Sequence, residues 1–159
     1  MAELKQYLSV LAEGLQKKNR ILNKILQLNA EQANVIKKES LMQEFDALVE
    51  EKGKWIEELN RVDQGFQSVY NRIRRELSEQ KDMYKAEIAT LQKLIQEMTD
   101  LSVKIETTEQ KNKLAVEQYF RNQRQAIGNN KKSLKAANDY YKSMSRVNYV
   151  DPQLMDQKK

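Results

Sequence analysis

The sequence predicts an all-α fold: an elongated antiparallel three-helix bundle or coiled coil with a short amphipathic or disordered C-terminal tail. Its large apolar residues recur every three or four positions from Leu41 to Met98, through Phe45, Leu48, Trp55, Leu59, Val62, Phe66, Val69, Ile73, Leu77, Tyr84, Ile88, Leu91 and Ile95. That alternation holds side chains on one stripe of a helix turning 3.6 residues per revolution. The only proline is Pro152, and the four glycines stand singly at 14, 53, 65 and 128. Charged residues make up 32% of the chain and hydrophobic ones 40%, the balance of long helices rather than of a compact α/β domain.

The first helix is predicted over residues 2–38. Leu4, Leu8, Leu11, Leu15, Leu22, Ile25 and Ile36 form a seam that Lys18, Asn29 and Gln32 interrupt. Ile21 and Leu28 widen the stripe, as expected of a helix that touches two neighbours. Buried Asn and Gln at seam positions weaken packing but fix register. Gly14 costs about 1 kcal/mol against Ala without ending the pattern.

A second helix is predicted over 41–79. Ser40 and Gln43 form a capping box, and Glu44 and Asp46 sit in the first turn, where the helix dipole favours acids. The short connection makes this helix return antiparallel to the first. Residues 1–39 carry +3 and residues 40–79 carry −3, which favours the pairing, although exposed ion pairs contribute only about 0.2–1 kcal/mol each.

A turn is expected in the polar stretch Ser78-Glu79-Gln80-Lys81-Asp82, with Ser78 or Asp82 as cap of a third helix over 82–127. Without it, one helix of about 87 residues would leave its stripe uncovered unless the chain dimerised. In the third helix the stripe runs through Tyr84, Ile88, Leu91, Ile95, Met98, Ser102 and Ile105, then Val116, Tyr119, Phe120 and Ile127. It thins across Thr107-Thr108-Glu109-Gln110, so a looser end with a groove is expected there. Gly128 closes the helix. Residues 1–128 are thus read as the bundle and 129–159 as a tail that binds a partner.

Several function classes are excluded or disfavoured. With no cysteine and no histidine, disulfides, Cys/His metal sites and histidine acid–base schemes drop out. Glu50-Glu51 and Glu57-Glu58 are adjacent pairs that point apart on a helix, so an exposed acidic face is expected rather than catalysis or metal binding. No glycine-rich phosphate loop exists. The chain is therefore expected not to be an enzyme and to need no cofactor. Its start lacks the basic and apolar regions of a signal peptide, and no segment reaches the roughly 20 apolar residues of a membrane span. A cytoplasmic protein without stable membrane insertion is expected.

Candidate binding residues remain. Trp55, Phe66 and Phe45 are expected in the core, with Tyr70 at its edge. Arg72, Arg74 and Arg75 are expected to form a solvated face. Residues 128–159 carry +4 and hold more apolar side chains than their neighbours can cover. Leu114, Tyr119, Phe120 and Ile127 at the end of the third helix, with Leu134, Tyr140, Tyr141, Met144, Val147, Tyr149, Leu154 and Met155 in the tail, are the candidate partner-binding set. Met and aromatic side chains suit adaptable interfaces. A fold-back of the tail onto the bundle is the competing reading. A tail with a single arginine, Arg146, and no recognisable module argues against nucleic acid.

The run Gln32-Ala33-Asn34-Val35-Ile36-Lys37, the helix Leu48-Val49-Glu50-Glu51-Lys52-Gly53-Lys54-Trp55-Ile56-Glu57-Glu58-Leu59, and the endings Tyr140-Tyr141-Lys142-Ser143-Met144 and Val150-Asp151-Pro152-Gln153-Leu154-Met155-Asp156 together resemble FlgN-type flagellar export chaperones of a clostridial-like branch. The resemblance covers nearly the whole chain. It implies a cytosolic, non-enzymatic chaperone that binds the C-terminal helices of hook–filament junction (hook-associated) proteins. Such a chaperone prevents their premature polymerisation and delivers them to the type III export apparatus. It places client binding from about Leu114 to Met155 and implies a monomer more than a dimer. A chaperone for the filament cap protein, or a dimeric structural coiled coil without a client, are the alternatives.

Overall fold

The computed structural model describes residues 2–38, 42–122 and Lys135. Helix α1 spans Ala2–Lys37, α2 spans Met42–Glu79, a 3-10 turn covers Lys81–Tyr84, and α3 spans Lys85–Asn122. At 1.5 Å per residue each α-helix is about 54–57 Å long. No strand occurs among the described residues. Glu3, Glu44 and Glu87 occupy first turns, and Lys37 and Arg121 last turns, in line with the helix dipoles.

Helix α1 is the spine. It runs closely along both α2 and α3, whereas the backbones of α2 and α3 stay farther apart. Its buried stripe is correspondingly the widest: Leu4, Leu8, Leu11, Leu15, Leu22 and Ile25 face the centre, and Ile21 and Leu28 extend the covered surface to one side. Asn19 covers the other side, donating from Nδ2 to the Leu94 carbonyl of α3 at 3.2 Å. Gly14 lies on the α2 side, where a Cβ would stand 3.8 Å from Phe66 Cδ2.

In α2 two interleaved seven-residue series set the seam. One is Phe45, Lys52, Leu59, Phe66 and Ile73; the other is Val49, Ile56, Asp63, Tyr70 and Leu77. Tyr70 is fully buried and stacks on Phe66, with ring centroids 6.3 Å apart. The expectation that Tyr70 sits at the edge is corrected. A seam of alternating three- and four-residue steps runs back from Leu77 to Ile73, then three residues to Tyr70 and four to Phe66, and Val69 is left half-buried. Trp55, Leu48 and Val62 are likewise half-buried, on the flank of the seam rather than at its centre.

The chain reverses at Gln80. Its amide donates to the Leu77 carbonyl, and its own carbonyl accepts from the Met83 amide, both at 3.1 Å. Gln80 holds the N-cap position of the 3-10 turn without a side-chain hydrogen bond, so neither Ser78 nor Asp82 caps it. Tyr84 then drops into the core and opens α3. Ser40, the expected cap of α2, lies outside the described residues, as does the expected continuation of the third helix from 123 to 127.

The apolar interior falls into two parts. The main core runs from Leu4, Leu77 and Tyr84 at one end to Ile25, Leu59 and Ile105. A separate small cluster of Phe45, Val116 and Phe120, flanked by Val35, Ile36, Val49 and Tyr119, closes the other end. Between them lie the polar residues Asn29, Gln32, Lys52, Glu109 and Asn112, with buried Leu28 of α1 beside them in neither cluster.

Candidate partner-binding site

The seam of α3 does not thin into a groove, as its sequence suggested. Counting sevens from Ser102 gives Glu109 and Val116, and from Ile105 gives Asn112; all of them are buried. The expected loose end is therefore a filled layer, and the correction has a physical cause: polar side chains from all three helices hydrogen-bond across it. Lys52 of α2 is fully buried and its Nζ pairs with Glu109 Oε1 of α3. The same ammonium donates to Gln32 Oε1 of α1 at 2.9 Å. Asn112 Nδ2 donates to the Asn29 carbonyl at 2.9 Å, and Asn29 Nδ2 donates to Thr108 Oγ1 at 2.8 Å.

Burial lowers the Lys52 pKa from its ordinary value to about 8; the nearby Glu109 carboxylate opposes that shift without cancelling it. Such a pair holds only because the geometry and the added hydrogen bonds offset the loss of hydration. Asn29 and Gln32 were legible as seam interruptions in α1. Lys52 and Glu109 were not, because a search for apolar periodicity passes over a charged residue; a strict count of sevens through Phe45, Lys52 and Leu59 finds it.

A second charge pair crosses the bundle nearer its middle. Lys18 Nζ lies 2.8 Å from Asp63 Oδ1, and Lys17 lies 3.1 Å from Glu58 on the surface beside it. Glu50, Glu51 and Glu57 are exposed, and Glu58 is half-buried against Lys17 and Arg61. Among the described residues no group of acidic side chains is arranged to hold a metal ion. Arg72 lies 5.2 Å over the ring of Tyr7, and Arg75 is 3.8 Å from Glu79.

The predicted binding residues that the structure describes gather at the end beyond the polar layer. Leu114 is 61% exposed, an unusual setting for leucine in a helix whose other large apolar residues mostly face inward. Phe120 is buried against Phe45 and Val116, and half-buried Tyr119 meets it edge-on with centroids 5.6 Å apart. Phe120 thus holds the end together, while Leu114 and Tyr119 present apolar surface outward. Ile127, Leu134, Tyr140, Tyr141, Met144, Val147, Tyr149, Leu154 and Met155 lie outside the described residues. No helix among the described residues is long and apolar enough to cross a membrane.

Compared with protein-family models, curated proteins and solved structures, the chain matches none.

Proposed function

We propose that this chain is a cytosolic, non-enzymatic export chaperone of FlgN type, which binds the C-terminal helices of flagellar hook-associated proteins, keeps them from polymerising and presents them to the type III export apparatus. The reading rests on the sequence resemblance and on one structural observation. Half-buried Tyr119 flanks a small apolar cluster, and Leu114 stands exposed on the outer face of α3, at the end from which the chain continues toward its Tyr- and Met-bearing tail. Helical clients dock on such surfaces by laying an apolar face into them. The client contacts run from Leu114 through Tyr119 into the residues after Asn122. A monomer is supported by the seams of all three helices, which are covered within one chain.

Pull-down from a lysate of flagellated cells, followed by mass spectrometry, should recover a hook-associated subunit. Deleting residues 129–159, or substituting Leu114→Ser, should weaken that capture at least about tenfold, a loss of about 1.4 kcal/mol of binding, while far-UV helicity stays nearly intact. Recovery of no axial flagellar subunit, or unchanged capture by both variants, would overturn the reading. A filament-cap subunit as sole client would redirect it to the other chaperone class. A dimer that survives dilution would point to a scaffold instead.

A further inference from the structure

We infer that the Lys52–Glu109 layer is a boundary of cooperativity, so that the bundle end beyond it opens as a unit while the main core stays closed. The observations are geometric. Asn29, Gln32, Lys52, Glu109 and Asn112 fill a cross-section of the bundle with polar side chains from all three helices. Apolar residues on either side belong to two distinct clusters. Packing free energy propagates along a helical bundle through continuous apolar contact, and a polar layer interrupts that continuity.

Among the described residues the far cluster is small, with three buried members and four half-buried ones. It also lies at the end of the bundle where α1 ends at Lys37 and α2 begins at Met42. The Asn29 Oδ1 and Gln32 Nε2 atoms within the layer have no hydrogen-bond partner among the described residues, so the layer contributes less cohesion than its polar content suggests. The opened state bares Phe45, Val116 and Phe120 beside Tyr119. It would regulate access to the client surface proposed above, but the opening does not depend on that proposal.

Native-state hydrogen exchange on the full-length chain, without any client, tests it. Amides at 43–50 and 112–120 should exchange at least about 100-fold faster than those of α1 near Leu22 and of α3 near Ile95. Their exchange should accelerate with urea, with a slope smaller than that of global unfolding, because a surface-exposing unit opens. Exchange without urea dependence would mean simple fraying of helix ends, and exchange merging with the global rate would mean one cooperative unit; either result overturns the inference. In the Lys52→Met/Glu109→Leu double variant, an apolar layer should join the clusters and bring the two sets of amides within about tenfold. If the gap persists in a folded double variant, the layer is not the boundary. Should that variant fail to fold, the urea dependence in the natural chain decides alone.

Discussion

The ion pairs Lys18–Asp63 and Lys52–Glu109 each join two helices of this bundle, and their surroundings differ more than their chemistry. Lys18 reaches Asp63 with a carboxylate whose side chain is 37% exposed, so water still reaches one partner. Lys52 and Glu109 are enclosed, with side-chain exposures of 0% and 7%. The first pair resembles a surface bridge with a long lysine stem packed along apolar side chains. The second removes two charges from water and offsets the cost through their mutual pairing, with Gln32 accepting a further hydrogen bond from the ammonium. Position along the seam, not residue type, sets how much each pair matters.

Removing the acid from each pair is the sharpest test of that contrast. Glu109→Ala leaves the Lys52 ammonium enclosed without its carboxylate and should cost about 3–5 kcal/mol in urea unfolding. Asp63→Ala should cost no more than about 1 kcal/mol, because Lys18 can turn toward solvent. Equal losses would show that the two sites are electrostatically alike and would break the comparison.

The pH dependence sharpens it further. In the folded chain Lys52 holds its proton less tightly than in the unfolded chain, where its pKa is the ordinary 10.5 rather than about 8. Between those values the unfolded state therefore binds more protons, and stability rises with pH. The penalty is fully present below pH 8 and relieved by about pH 10.5, for a gain of on the order of 3 kcal/mol at most. The measurement is a difference between two chains, which cancels every contribution they share. Urea midpoints across pH 7–10.5 for the natural chain should rise relative to those of the Lys52→Met/Glu109→Leu variant. Parallel curves would mean that Lys52 is not effectively desolvated.

The smallest effect is expected away from both pairs. Gly65 lies on the exposed side of α2, and an added Cβ meets nothing within 4 Å. Gly65→Ala should therefore raise stability by about 0.5–1 kcal/mol through backbone entropy alone, read as a higher melting temperature. A loss at this position would mean that the helix there is not regular.

Much of the fold was legible in the residues. The α1 seam could be read throughout, including its polar members Lys18, Asn29 and Gln32, because it alternates threes and fours from Leu4 to Ile36 without a rival frame. The widening at Ile21 and Leu28 correctly announced two neighbours. In α2 the frame was ambiguous, since Val69 and Tyr70 are both apolar and adjacent, and only the fixed positions of Ile73 and Leu77 select Tyr70. At the candidate site the difficulty was of another kind. Thr107 to Gln110 look like a gap to any scale that scores hydrophobicity, yet Glu109 is a core residue because Lys52 faces it from another helix. A buried pair is a property of two segments 57 positions apart, and neither segment announces the other. Leu114 was identifiable as a candidate, and its exposure agrees with an outward role; Phe120, placed in the same set, also closes the end of the bundle.

The central position of α1 has a consequence for synthesis. Its two flanks are sheltered by different helices, and the hydrogen bonds that tie it to α3 join residues 75 to 83 positions apart. Of the three helices α1 is made before its partners and waits longest for complete shelter: α2 screens one flank early, and the other stays bare until most of α3 has been translated. During that interval the nascent chain is most exposed to capture by other sticky polypeptides, and any slowing of translation before residue 94 lengthens the wait.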